Sequence, residues 1–99
     1  MNKHYKQLAE VIIPSHDAEE HGVKLYVFDV DDEKADELSE AYFAPENGFD
    51  NAKAADIIRE DLGCYDSGIV PPGAMFYRYS ISFDYPHTVL VWETCAYNV

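Results

Sequence analysis

The stretch Leu25-Tyr26-Val27-Phe28-Asp29-Val30-Asp31-Asp32 sets two carboxylates, Asp29 and Asp31, at the end of a hydrophobic run. Two acids one residue apart at a strand end can serve as nucleophile and acid/base, or hold a divalent cation. The same region can be laid on a calcium-loop frame, with Asp29, Asp31, Glu33, Glu37 and Glu40 at positions 1, 3, 5, 9 and 12 of twelve. That frame needs glycine at the sharp turn of position 6, and Lys34 stands there. Its usually apolar position 8 is Asp36. The histidines, His4, His16, His21 and His87, show no helical ligand spacing and read as solvated or hydrogen-bonded side chains. Cys64 and Cys95 are not spaced as a metal pair and read as reduced thiols. No glycine-rich phosphate loop and no serine or cysteine nucleophile motif occurs, so no cofactor is expected.

The hydrophobic run ending in Asp29-Val30-Asp31 resembles the first motif of the haloacid-dehalogenase-like phosphotransferases. The resemblance covers about eight residues. It implies a doubly wound core, a nucleophilic Asp29, an acid/base Asp31 and a neighbouring magnesium ion. Glu33 stands where that family carries threonine or valine. A strand followed by an acid-capped helix produces the same letters, because aspartate favours helix N-termini. The structural reading is preferred, and the phosphotransferase is kept as a second alternative.

The elements that would position these residues follow from periodicity. Gln7 to Ile13 reads as a strand ended by Pro14, although Tyr5 to Ile12 also admits a helical start. The polar segment Ser15 to Gly22 reads as a loop. Val23 to Val30 is apolar on both faces, which marks a central strand. Asp31 or Asp32 caps a helix to about Tyr42, with Ala35, Leu38 and Tyr42 as its apolar stripe. A second helix runs from about Asn51 to Leu62 between a cap at Asp50 and a left-handed Gly63, burying Ala54, Ala55, Ile58 and Leu62. After the loop Ser67 to Gly73, Ala74 to Tyr85 reads as a strand whose Tyr77, Tyr79, Ile81, Phe83 and Tyr85 alternate with polar residues, and Thr88 to about Tyr97 returns, joined by Pro86-His87. The expectation is one α+β domain spanning 1–99, ordered ββααββ. Its four strands form a mainly antiparallel sheet, with two helices on one face.

Charge is the unusual feature. Nineteen acids oppose seven Lys and Arg, a net of −12. Such a surface repels nucleic-acid phosphates and anionic membranes, so neither is expected as a direct partner. No run of about 18 apolar residues is present and the first ten residues are polar, so a cytoplasmic protein is expected. Thirteen of the acids but three of the cations lie between Asp29 and Asp66, concentrating ten of the twelve excess charges in the helical half. Asp32, Asp36 and Glu40 recur at i, i+4 and i+8, with Glu33 and Glu37 in the next row. Each like-charged pair at this spacing costs roughly 0.2–0.5 kcal/mol. A carboxylate about every 6 Å along a rod is of the same order as the phosphate repeat of DNA.

The expected partner is therefore a basic protein surface, such as a nuclease or another nucleic-acid-binding protein. The contact residues expected are Asp32, Glu33, Asp36, Glu37, Glu40, Asp56, Glu60 and Asp61. In size and charge the chain resembles small acidic phage and mobile-element proteins that disarm restriction or CRISPR nucleases. A non-enzymatic regulatory or adaptor module with an aromatic contact surface is the alternative. Tyr42, Phe43, Phe49 and Tyr65 flank the helices and would supply its anchors.

Overall fold

A computed structural model describes residues 2–14, 21–44, 51–66 and 75–97. The strands are β1 (Tyr5–Pro14), β2 (His21–Val30), β3 (Met75–Asp84) and β4 (Thr88–Tyr97). The helices α1 (Asp32–Tyr42) and α2 (Ala52–Leu62) fall between β2 and β3. The fold is α+β in the expected ββααββ order, with one four-stranded sheet arranged β1-β2-β4-β3. All three strand pairings are antiparallel.

β1 is a strand throughout, which settles the helical alternative at Tyr5 to Ile12. β2 begins earlier than its apolar run. His21 and Gly22 were expected in the loop, yet both pair with Ala96 and Cys95 of β4. Flanking strands on both sides satisfy the backbone there and outweigh the turn preference of glycine. The segments 15–20, 45–50 and 67–74 lie outside the described residues. With them go the expected cap Asp50 and the anchor Phe49.

The strand registers show which side chains share a face. Tyr26, Phe28 and Val30 of β2 align with Val89 and Val91 of β4 and with Ile81 and Phe83 of β3. This face meets the helices. Leu38, Ile58, Val89 and Val91 are its most deeply buried large side chains. Tyr5, Phe28, Val30, Ala35, Ala54 and Phe83 complete most of the core. Val23, Leu25 and Val27 point to the other face, as do Leu90 and Trp92, and no described helix covers them.

The two sheet edges differ. On β3 the Phe83 N–H donates to Asn51 Oδ1 at 3.1 Å, and Asn51 Nδ2 donates to the Ile81 carbonyl at 3.2 Å. Farther along, the Tyr79 N–H donates to Asp66 Oδ1 at 2.9 Å. β1 carries a bulge between Gln7 and Ala9 and leaves Leu8, Val11, Ile12 and Ile13 exposed. The bulge moves the inward set from Tyr5 and Gln7 to Glu10 and Ile12, so no single period-two pattern runs through β1.

Candidate functional site

α1 starts where the sequence expects it. Asp31 is the N-cap, and its Oδ1 accepts from the Lys34 N–H at 2.9 Å. Its other oxygen lies 2.7 Å from His4 Nδ1. The Lys34 N–H and His4 together hold the Asp31 carboxyl below its ordinary value. Asp31 thus fastens the α1 start to the turn before β1. Asp29 stays on β2, exposed and paired in register with Thr88 and Lys6. The parallel core implied by the phosphotransferase resemblance is replaced by an antiparallel sheet. Residues 29–40 form a strand end and a helix, not a calcium loop. Among the described residues, no group of three or more His, Cys, Asp or Glu is arranged to hold a metal ion.

α2 begins differently from the expectation. Asn51 occupies the N-cap position without a side-chain cap bond. Its amide is committed to β3 instead, as described above. Gly63 ends the helix at φ 68, and the Cys64 N–H returns to the Arg59 carbonyl at 3.0 Å. That left-handed turn favours glycine.

The eight carboxylates singled out by sequence separate into two sets. Asp32, Glu33, Asp36 and Glu40 on α1, and Asp56 and Glu60 on α2, are all exposed. Asp32, at the start of α1, is 98% exposed with His87 Nε2 at 3.7 Å. The rows at i, i+4 and i+8 therefore lie on the side of α1 opposite Ala35 and Leu38. Asp56 and Glu60 stand opposite Ala54 and Ile58 on α2. The two helices pack against each other, and each carries its acids on its outer face. Lys53 is exposed on the same side of α2 and offsets part of the charge.

The second set, bonded to Lys34, is the half-exposed Glu37 and Asp61. Asp61 is four-fifths buried and accepts from Lys34 Nζ at 2.8 Å and from the Tyr5 hydroxyl at 2.8 Å. Lys34, 9% exposed at its side chain, also donates to Glu37 at 2.7 Å. Burial alone would lower the Lys34 ammonium, but its bonds to Asp61 and Glu37 outweigh burial and leave it raised. Tyr5 is pushed far above its ordinary value by burial and then by the Asp61 carboxylate. The group ties β1, α1 and α2 together. Sequence reasoning missed its inward direction, although a signal was present. Asp61 stands at i+3 from Ile58 and i+7 from Ala54, on the buried stripe of α2, and Lys34 stands at i−4 from Leu38.

The aromatic candidates also separate. Tyr42 packs on Phe83 and on Phe43, with ring centroids 6.1 Å and 4.8 Å apart. Phe43 continues to Tyr85 at 5.2 Å, and both of these are exposed. Tyr65 is exposed as well. Among the described residues, no helix is long and apolar enough to cross a membrane.

Comparison with protein-family models, with curated proteins and with solved structures finds no match to this chain.

Proposed function

We propose that this protein binds a basic protein surface through the outer faces of α1 and α2, and that it acts as an inhibitor occupying a groove that otherwise holds nucleic acid. The observation that carries this reading is the orientation of charge. The α1 lysine turns inward to Asp61 and Glu37, while Asp32, Glu33, Asp36, Glu40, Asp56 and Glu60 remain outward. A rigid pair of helices with like-signed outer rows keeps an electrostatic cost that internal pairing does not remove. A cationic groove removes it on binding. Such complementarity raises association rates and selects partners by sign. The function is binding, and the acids have no catalytic role in it. In this reading the protein resembles phage or mobile-element inhibitors of restriction or CRISPR nucleases in its mode of action.

The test is capture of host proteins at low and high salt, followed by competition with duplex DNA. Captured basic nucleic-acid-binding proteins should be released by salt and displaced by DNA. The triple variant Asp32→Asn, Asp36→Asn, Glu40→Gln should lose them while melting as the parent does. Retention by the triple variant would sink the proposal.

A second reading has its own support. Phe43 and Tyr85 form an exposed edge-to-face pair, and Val11 and Ile13 are exposed on the uncovered side of the sheet. An adaptor using these apolar groups would hold its partner at high salt and lose it in Phe43→Ala or Val11→Asp.

A further inference from the structure

The helices are shorter than the sheet they cover. An eleven-residue helix spans about 16 Å and a ten-residue strand about 33 Å. Past Gly63 neither described helix covers the helix-side face of the sheet, and a cavity of about 310 Å³ lies there. Tyr26, Tyr79 and Leu62 are among its walls, with Gln7, Cys64 and Glu93 also lining it. The C-terminal end of α2 borders it, and that end carries partial negative charge.

Glu93 is out of keeping with its position. It sits on the central strand β4, two residues beyond the buried Val91 and on the same face. A half-buried carboxylate on the inner face of a central strand is well placed to accept a compensating charge. Tyr79, directly across on β3, donates its hydroxyl to it. Lys24 is its register partner on β2, but the Lys24 ammonium lies 3.9 Å from Glu10. Arg59, near the end of α2, donates to the Cys64 carbonyl at 3.4 Å. Asp61, at the same cavity, is already bonded to Lys34 and Tyr5. Of the two carboxylates among the described lining residues, Glu93 is thus the one with acceptor capacity to offer a ligand.

We propose that this cavity binds the guanidinium side chain of an arginine from the basic partner, an inference that rests on the function proposed above. The aliphatic stem lies along Leu62 and the tyrosine rings, and the planar head meets Glu93. Guanidinium suits the place better than ammonium, since it stacks on aromatic faces and presents several donors in one plane. Burial and Glu93 push the Tyr79 phenol up to about 12, and the same two causes raise Tyr26, so both rings stay neutral beside a cation. Burial raises the Cys64 thiol, which keeps it protonated and out of the chemistry. A phosphate ligand would be repelled by Glu93, and a neutral apolar one would leave the carboxylate uncompensated.

The test titrates isotopically labelled protein with Nα-acetyl-arginine amide, followed by nuclear magnetic resonance, with the neutral isostere Nα-acetyl-citrulline amide as control. Arginine amide should shift the Tyr26, Tyr79 and Glu93 resonances saturably, and citrulline amide should not. Glu93→Gln should weaken binding about tenfold, the loss of one charge-assisted hydrogen bond. The triple variant of α1 should keep the parent affinity within about twofold, since those acids are not at the cavity. Equal shifts with citrulline amide in the unaltered protein would overturn the proposal without relying on any variant. So would an unchanged titration in Glu93→Gln, or shifts confined to the outer helical face, either of which leaves the acidic-surface function standing. Conversely, a cavity that titrates as stated beside a triple variant that still captures partners separates the two, and only the acidic surface fails.

Discussion

Asp61 and Glu60 are neighbours in sequence and opposites in role. Asp61 turns inward, where it meets an ammonium and a phenol and joins three elements. Glu60 turns outward, with Asp56 one helical turn before it. The same division runs through α1, where Lys34 is buried while Asp36 and Glu40 are exposed. A carboxylate inside contributes only if its partners stay in place, because an uncompensated buried charge is costly. A carboxylate outside contributes little to folding and is available to a partner. The inner and outer acids therefore predict opposite phenotypes.

The largest effect should come from breaking the inner set. Lys34→Met removes the cation from Asp61 and should cost about 3 kcal/mol in urea unfolding, the lower end for a broken buried pair because Asp61 keeps some exposure. Leu38→Ala sets the scale for loss of plain core packing and should cost about 3 kcal/mol at this fully buried position. If Lys34→Met is nearly silent while Leu38→Ala is not, the inner set is ornamental. Tyr5→Phe deletes the hydroxyl that Asp61 accepts and should cost about 1.5 kcal/mol.

The outer acids should behave the other way. Asp36→Asn with Glu40→Gln relieves like-charge repulsion along α1, so stability should stay level or rise by about 0.5 kcal/mol, most clearly at low salt. A drop of more than 1 kcal/mol would place these acids in structural roles and erase the distinction. The smallest effect expected is the pH response of the cap. Asp31 has a lowered value in the fold, so its stabilisation is fully present above about pH 4, where the unfolded chain is already ionised. It is lost as pH falls through the lowered folded value. In Asp31→Asn the acid-side loss in melting temperature should shrink, while the neutral-pH cap survives because asparagine also caps helices.

Much of this molecule was legible in its residues. Apolar residues on both faces of β2 mark it as central, and it is flanked by β1 and β4. The alternation of β3, the stripe of α1 and the stop at Gly63 all appear at the expected residues. Local rules failed where a distant segment supplied the partner. Gly22 entered β2 because two strands bond it, and Asn51 stands at the N-cap position in place of the expected Asp50 with its amide bonded to the β3 edge instead of to α2. The bulge at Leu8 hid the facing of β1, since one extra residue inverts every side chain after it.

By itself, the sequence determined the element order, the apolar stripes and the concentration of negative charge in the helical half. Each of these follows from periodicity or counting along one segment. Tertiary structure decided the placing of β4 between β2 and β3, which acids are neutralised by Lys34, and the cavity beyond Gly63 that Glu93 lines. Those features depend on groups brought together from far apart in the chain. A burial cost or a charge pairing becomes defined only when the packed neighbours fix distance and exclude water.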